Sequence, residues 1–420
     1  MHSLQLVSLL AALSVAPLAA SAQQPPEAPA QPAPPAQPKP SDEATREEAR
    51  RKLEAEIGKE LGAPPPGVRP AAPAPGATSA APQPPATGGN PLARLLLLPD
   101  ISAIGSAALA FDSYDVDALS PRSGPTSRED KPRFLFEELE LGLQAVVDPY
   151  VRADVFIAFT PEEGVDIEEA YVTSLSLPAG LQLRGGTFFS PFGRLNQQHP
   201  HVWEFVDAPL ANNRLLAEES IRGPGVELGW LAPLPWFAEL RLAGQSVAPT
   251  EEDRDELTGV VRLLNYFSLS EKTTLGIGLS AARRDEGQDA FRDLGAVDLH
   301  LRWRSLERRS YIALQSEVYL RRFRGIEDAG DTEDGGYAQL FWKPGARFGY
   351  GVRYDWAPTE GDETEEGTEH RYGVLAGFFP SEFQRIRLQV SYDRRPGERD
   401  GWEALLHLEF GMGAHGAHPF

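Results

Sequence analysis

Apolar and polar side chains alternate along the chain from about residue 101 to the C-terminus. Each alternating stretch has about ten residues and ends at a turn, which is the length of a strand that crosses a membrane. One stretch shows the pattern clearly, with an apolar and a polar series: Val297, Leu299, Leu301 and Trp303 against Asp298, His300, Arg302 and Arg304. This period of two predicts β-strands that each have one apolar face and one charged face.

The connections between these stretches alternate between short and long. Short ones fall at residues 148–149, 177–180, 232–235, 268–273, 305–309, 343–346 and 380–383, and the connections between them are longer and rich in Asp, Glu, Gly or Arg. An outer-membrane barrel has this asymmetry, because one rim carries tight periplasmic turns and the other carries outer loops. We therefore predict an all-β fold: a transmembrane, antiparallel up-and-down barrel of about sixteen strands over residues 99–420.

A water-soluble β-sandwich also alternates, so the period alone does not decide the fold class. Aromatic residues gather at the predicted strand ends: Trp303, Trp342, Tyr354, Trp356, Trp402 and Phe410. Such aromatics form girdles at the two membrane interfaces of a barrel. An even strand number places both termini in the periplasm of a Gram-negative cell.

The region before the barrel divides into two segments. Residues 1–22 read as a signal peptide, with an apolar run and small residues before the cleavage site. Residues 23–98 form a Pro/Ala-rich periplasmic linker that contains one short helix over residues 41–61. Two interpretations of that helix stay open: a marginal helix in a tether, or a small coiled coil that docks on a partner. The linker is long enough to reach peptidoglycan.

Composition excludes several classes of protein. The chain has no cysteine, which removes disulfides and thiolate metal sites. Its net charge of −21 and the lack of a strongly basic face argue against a nucleic-acid partner. Apart from the signal peptide, no segment approaches the ~18 apolar residues of a membrane-spanning helix. The motifs of Ser hydrolases, phosphate-binding loops and His-Glu-x-x-His metalloproteases do not occur, so we expect no enzyme activity.

Charged residues of both signs occupy the predicted inner faces of the strands. The predicted pore-lining residues are Arg152, Arg184, Arg241, Arg302, Arg304, Arg353, Arg385, Arg387, Glu138, Glu140, Asp298 and Glu317. They either hydrate a channel and create a field that filters solutes, or pair across strands and fill the barrel. Sixteen strands enclose more space than side chains fill, which favours a water-filled channel.

The longest connection runs from Phe189 to Gly223. We predict that it folds inward as a constriction loop, with these pore-facing residues: Phe192, Arg194, Asn196 and Asp207. His199 and His201, with Glu204 and Asp207, supply nitrogen and oxygen ligands for a zinc ion, although two histidines at this spacing also occur by chance. We expect no other cofactor. A second pair, His415 and His418, is better explained as part of a periplasmic tail.

Several segments resemble a family of porin-like outer-membrane barrels, some of whose members carry the label zinc-regulated TonB-dependent outer-membrane receptor. The matching segments are residues 99–105, 136–144, 147–150, 168–171, 193–210 and the C-terminal Gly-Ala-His-Pro-Phe. The family is distantly similar to phosphate-selective porins. One departure is clear: a TonB-dependent receptor needs about 22 strands and a plug domain, which this chain is too short to supply.

These patterns lead to two hypotheses about function. The first is a channel for passive diffusion of small anionic solutes. The second is a non-conducting barrel that binds a ligand such as zinc or anchors the cell wall. In both, the expected partners are outer-membrane lipid and lipopolysaccharide, which the acidic outer loops would contact through divalent cations, and a second copy of the chain in a homo-oligomer.

Overall fold

The computed structural model describes residues 99–113, 119–120, 124–125, 133–161, 164–216, 220–247, 257–286, 290–325, 332–359, 367–396 and 400–413. The predicted signal peptide (1–22), linker (23–98) and helix (41–61) lie outside these residues, as do His415 and His418. Within the described part, no helix is both long and apolar enough to cross a membrane.

Sixteen of the described strands form one closed antiparallel barrel, which confirms the predicted fold class and strand number. In chain order, the strands are β1 (Asp100–Asp112), β2 (Leu119–Ser120), β3 (Gly124–Pro125), β4 (Arg133–Asp148), β5 (Val151–Thr160), β6 (Gly164–Ser174), β7 (Leu181–Phe189), β8 (Arg222–Leu231), β9 (Phe237–Ser246), β10 (Leu257–Ser270), β11 (Thr273–Asp285), β12 (Phe291–Ser305), β13 (Ser310–Arg324), β14 (Thr332–Lys343), β15 (Phe348–Pro358), β16 (Thr368–Ser381), β17 (Gln384–Arg394) and β18 (Gly401–Gly413). β2 and β3 pair only with each other. β1 pairs with both β4 and β18, and this closes the barrel.

The two faces of the barrel are the reverse of those of a water-soluble protein. On the outside, Val352 and Val374 are more than half exposed, whereas on the inside Arg371 and Asp393 are almost fully buried. An exposed apolar surface and a polar interior are typical of a barrel whose outer surface contacts lipid acyl chains. The alternation in the sequence therefore separates a lipid-facing series from a lumen-facing series.

The seven short connections lie on one rim, and both β1 and β18 reach that rim, where Ser102 pairs with Gly413. One connection on the opposite rim is shorter than expected. Only residues 161–163 join β5 to β6, because Gly164, with φ of +83°, completes a tight reversal that other residues rarely adopt.

The connection between β7 and β8 folds into the lumen, and we call residues 190–221 the inner loop. It contains two 3₁₀ turns, Leu195–Gln197 and Pro200–Val202, and a π-helical turn, Asn212–Leu216. Its apolar side chains form the buried core of the molecule together with the barrel wall.

Candidate pore and its inner loop

Apolar contacts fix the inner loop to the barrel wall. Phe192, Leu210 and Leu215 are fully buried, and the ring of Phe192 stacks on Tyr319 with 6.4 Å between centroids. Phe205 packs in a second cluster with wall residues Phe341, Leu375 and Leu405. Each such side chain contributes about 1.5–3 kcal/mol on burial. The inner loop is therefore packed as tightly as a protein core.

Small wall residues make room for the inner loop. A Cβ at Gly335 would lie 2.8 Å from Leu215 Cδ1, and one at Gly351 would lie 3.0 Å from Phe205 Cζ. Any larger side chain at these inward-facing positions would displace the inner loop.

Glu317, on β13, anchors the start of the inner loop. Its carboxylate accepts hydrogen bonds from the backbone N–H groups of Arg194 (2.7 Å) and Leu195 (2.8 Å), and from the Tyr337 hydroxyl (2.6 Å). Gly193 precedes this contact with φ of +61°. The chain thus turns into the lumen on a glycine and is held there by a buried carboxylate.

Asp207 anchors the middle of the inner loop to three strands. Its carboxylate accepts hydrogen bonds from Arg353 (2.7 Å), Arg371 (2.9 Å) and Gln389 (2.6 Å). Arg353 also pairs with Asp355, and Arg371 with Asp393. All these groups are buried, so each charge depends on its partner in this network.

Two further sets of contacts hold the inner loop in place. Arg387 donates to the backbone carbonyl of Trp203 at 2.9 Å, and Arg385 pairs with Glu409. Asn196 bridges the two ends of the inner loop: its amide donates to the carbonyls of Ser190 and Ile221, and its oxygen accepts from the Ile221 N–H.

His199 lies in a cluster of carboxylates on the other side of the lumen. Its Nδ1 is 2.9 Å from Glu140 Oε2 and 3.1 Å from Glu168 Oε2, and its Nε2 is 2.9 Å from Glu169 Oε2. His201 Nδ1 is 3.2 Å from the same Glu140 oxygen. Burial opposes a charge on the His199 ring, but the three adjacent carboxylates of Glu140, Glu168 and Glu169 raise the pKa of His199 well above the ordinary value.

A β-bulge brings two consecutive glutamates into this cluster. The register between β5 and β6 shifts so that Phe156 pairs with Glu169 while Ile157 pairs with Ile167. Two residues of the bulged strand then oppose one residue of its partner, so Glu168 and Glu169 both point inward.

Three cavities lie beside the inner loop within the described part of the barrel. The outer chamber, of about 550 Å³, reaches Phe134 and Pro161 near the rim of long connections. The inner chamber, of about 640 Å³, reaches Ser381 and Phe383 at the opposite rim. The side chamber, of about 280 Å³, lies between Arg152 and the inner loop.

The outer and inner chambers share part of their lining, which we call the neck. Both are lined by the same five residues: Ile104, Gln198, His201, Trp203 and Glu409. The inner loop supplies three of them and the wall strands β1 and β18 supply the others. A route through both chambers would pass between the inner loop and these two strands.

The chambers differ in the sign of their charged side chains. Acidic residues predominate in the outer chamber: Glu137, Glu138, Asp166, Glu168, Asp207 and Glu409 against Arg222 and Arg387. Basic residues predominate in the side chamber: Arg152, Arg184, Arg194, Arg241 and Arg262 against Asp154 and Glu169. The inner chamber has Arg194, Arg302, Lys343 and Arg385 against Glu204, Glu382 and Glu409. Charge therefore changes sign along the lumen.

The predicted pore-lining residues fall into three groups. Those at a chamber are Arg152, Arg184, Arg241, Arg302, Arg385, Arg387 and Glu138. Those buried in ion pairs or hydrogen bonds away from the chambers are Glu140, Asp298, Glu317 and Arg353. Arg304 is exposed at the rim of short connections. The second group holds the inner loop or the wall, because these charges find partners that a strand pattern cannot show.

The predicted constriction residues also divide. Arg194 and Asp207 face chambers, whereas Phe192 and Asn196 are buried away from them, within the contacts that hold the inner loop in place. Sequence reasoning missed most of the neck, including Gln198 and Trp203. The one signal in the sequence for the neck was Trp203, an aromatic residue within a polar connection. Glu169 was missed because the bulge breaks the period of two.

Comparisons with known proteins agree with this architecture. No family model matches the chain. An uncharacterized protein of Aquifex aeolicus (strain VF5) is 29% identical over 388 residues, which cover 79% of this chain and 82% of that protein.

Three solved barrels are similar in structure at low sequence identity. OprB of Pseudomonas putida has a TM-score of 0.55 and 9% identity, with 77% of this chain and 97% of that chain covered. The outer membrane channel DcaP of Acinetobacter baumannii has a TM-score of 0.51 and 11% identity, over 75% and 97%. A loop-deletion mutant of OmpT, an outer membrane protein of Vibrio cholerae, has a TM-score of 0.51 and 9% identity, with 75% of this chain and 99% of that chain covered. These likenesses show the fold, and they confirm the expected resemblance to porin-like barrels.

Proposed function

We propose that the protein is a passive outer-membrane channel for small anionic solutes, with the inner loop as its constriction. The observation that carries this proposal is the pair of chambers that open toward opposite rims and share one neck. The neck is built from side chains, and we expect the solutes to be small and hydrated.

Uncompensated cations in the inner chamber support the preference for anions. Among the described residues, neither Arg194 nor Arg302 has a carboxylate within ion-pair distance: Arg194 donates to the Tyr266 hydroxyl, and Arg302 lies over the Tyr311 ring. Lys343 lies over the Phe379 ring, 3.9 Å from its centroid. Cations held against aromatic rings keep donors free for a passing anion.

Planar-bilayer recording tests the proposal. We expect the folded protein to form open channels whose reversal potential in a KCl gradient shows a preference for chloride. Replacing Arg302 and Lys343 together by glutamine should shift that potential toward potassium, because the inner chamber loses two positive charges. Arg308→Gln, in an exposed short turn, is the control and should leave the potential unchanged.

Two outcomes would contradict the proposal. Folded protein that gives no conductance would favour the non-conducting binding or anchoring barrel. A potential that does not respond to Arg302→Gln with Lys343→Gln would remove the inner chamber as the selective element.

The other expected features stay predictions. They are contact with lipopolysaccharide, contact of the linker with peptidoglycan, assembly into a homo-oligomer, and periplasmic termini. The short-connection rim, which both β1 and β18 reach, supports periplasmic barrel ends, because porins turn tightly on that side.

A further inference from the structure

We propose that His199, His201, Glu140 and Glu168 bind a divalent transition-metal ion of the zinc class, which ties the inner loop to strands β4 and β6. The ligand atoms are His199 Nδ1, His201 Nδ1, Glu140 Oε2 and Glu168 Oε2. This site does not depend on conduction, and it is a second property of the same loop.

The spacing of these atoms matches a metal coordination sphere. Glu140 Oε2 lies 2.9 Å from His199 Nδ1 and 3.2 Å from His201 Nδ1, and Glu168 Oε2 lies 3.1 Å from His199 Nδ1. Ligands of a tetrahedral zinc ion, with bonds of about 2.0–2.1 Å, stand about 3.3 Å apart. Ligand atoms of Glu140, His199 and His201 lie within 4.8 Å of one another, so one ion can contact all three, and Glu168 Oε2, 3.1 Å from His199 Nδ1, is the nearest fourth ligand.

Glu140 gives an independent indication of a ligand. Its side chain is 1% exposed, yet Oε2 accepts no hydrogen bond of suitable geometry although two ring nitrogens lie close to it. A buried carboxylate oxygen without a hydrogen bond is costly. A cation at the centre of the cluster would satisfy it.

The second nitrogen of His199 has the partner that metal ligands usually have. Its Nε2 contacts Glu169 Oε2 at 2.9 Å, opposite the proposed ion. A carboxylate behind a ligating imidazole fixes the ring orientation and makes the facing nitrogen a stronger ligand. Glu169 is positioned for this by the bulge in β6. We therefore assign Glu169 as a positioning residue.

The charges of the cluster also call for a cation. Glu138 lies beside Glu140 and Glu168, with their oxygens within 4.8 Å of one another. In the described part of the chain, no Lys or Arg lies within ion-pair distance of these three carboxylates. The imidazoles of His199 and His201 carry at most two positive charges, which cannot neutralise these three carboxylates and that of Glu169. With both imidazoles neutral as ligands, a divalent ion offsets two of these four negative charges.

The type of ligand selects the metal. Imidazole nitrogens favour zinc and its neighbours in the first transition row, whereas calcium and magnesium prefer sites made only of oxygen. Glu138, Glu168 and His201 line the outer chamber, so an ion has a route to the site from that side.

Zinc binding to the folded full-length protein tests the proposal. Every protein carries His415→Ala and His418→Ala and lacks a polyhistidine tag, so that the tail does not chelate metal. After treatment with EDTA, equilibrium dialysis against zinc with elemental analysis gives stoichiometry and affinity. Cobalt substitution gives a visible spectrum that reports tetrahedral coordination.

We expect one zinc per chain. Loss of a residue that positions a metal ligand typically weakens binding by roughly 10–100-fold, and we expect Glu169→Gln to weaken zinc binding within that range. Replacing a ligand itself, His199 or His201, by alanine should weaken zinc binding at least as much. His300→Ala removes another lumenal histidine, which lies in the inner chamber, and should bind zinc as the parent does. His199→Gln and His201→Gln repeat the test with smaller changes in shape, and heat-modifiable migration on electrophoresis shows which variants are folded.

The proposal fails if the folded parent binds no stoichiometric zinc, or if the folded His199 and His201 variants bind it as tightly as His300→Ala. Excess calcium that displaces zinc would also overturn the assigned metal class. Because none of these measurements uses a bilayer, failure here leaves the proposed channel standing, and absence of conductance leaves the metal site standing.

Discussion

Individual charged residues in this lumen have one of two roles, and their neighbours decide which. Asp207, Arg353 and Arg371 are buried against one another and hold the inner loop. Arg302 and Lys343 lie against aromatic rings without a carboxylate within ion-pair distance in the described structure, and remain open to solutes. Cationic side chains therefore act as structural anchors on one side of the inner loop, and under the proposed function they determine selectivity on the other.

Asp207→Ala should release the middle of the inner loop. The change leaves the Arg353 and Arg371 guanidinium groups buried beside each other, and breaking a buried ion pair costs about 3–5 kcal/mol. We expect a larger single-channel conductance with more fluctuation. Asp293→Ala, which breaks a more exposed pair with Arg283 far from the inner loop, is the control. Equal conductance in both variants would show that Asp207 does not hold the constriction.

Glu204 should make ion selectivity depend on pH. Burial raises the pKa of Glu204 above its ordinary value, although a hydrogen bond from Tyr311 and the nearby Arg385 and Arg302 oppose this. A carboxyl with a raised pKa becomes neutral at a higher pH than usual. As the pH falls, the inner chamber therefore becomes more positive, and the reversal potential should move toward chloride.

Glu204→Gln should show the low-pH selectivity at all pH values, whereas Glu382→Gln, in the same chamber, should keep a pH dependence. A pH response that survives in Glu204→Gln would have another origin.

At the residue scale, the period of two predicts which residues face inward but not what they contact. Arg302, Glu138 and Glu317 all face inward, as the sequence indicates. Whether each meets water or a buried partner depends on the path of the inner loop, which the strand pattern does not contain. The inward position of Glu169 was not predictable, because one extra residue in β6 reverses the side of every residue before it.

The inner loop is the element on which the proposed function rests. Its length marks it in the sequence as more than a connection, and His199, Asp207 and their neighbours were recognisable as candidate residues. Its fixed position comes from apolar packing and from acceptors such as Glu317, more than 100 residues away in the chain. Such contacts appear only when the strands are placed side by side.

Gly193→Ala should loosen the entry of the inner loop into the lumen. The residue has φ of +61°, and an added Cβ would lie 2.5 Å from Glu317 Oε2. Strain of this kind costs about 1–3 kcal/mol. Faster proteolysis within the inner loop of the folded barrel is the expected result. Gly259→Ala is the matched control, because a Cβ there meets no atom within 4 Å. Equal rates would mean that the wall side chains adjust without moving the inner loop.

At the scale of the whole molecule, the barrel was predictable from two simple regularities. Alternation gives the strands, and the alternation of short and long connections gives the up-and-down order and the closed form. The number of strands follows from counting turns. The exception at residues 161–163 did not alter the count, because the reversal of direction is the same whatever the length of the connection.

Val374→Arg should destabilise the barrel in lipid more than an arginine placed outside the lipid-facing surface does. Val374 lies on the outer face of β16 and is 55% exposed, and an arginine near the middle of the bilayer costs about 2–4 kcal/mol in such barrels. Urea unfolding from phospholipid vesicles measures the loss. Leu306→Arg, in an exposed short turn, should cost much less. Equal losses would contradict the assignment of the outer face to lipid.

The distant anchors of the inner loop also determine the order in which the molecule is built. Glu317, Arg353 and Gln389 are translated long after the segment that they hold, and they form one surface only once β13, β15 and β17 are joined through β14 and β16. Until then Phe192, Phe205 and Leu215 have no cavity to enter and are exposed to solvent or to chaperones. We therefore expect this segment to dock only after these strands have paired, and a chain stalled before that point to be the species most prone to aggregate.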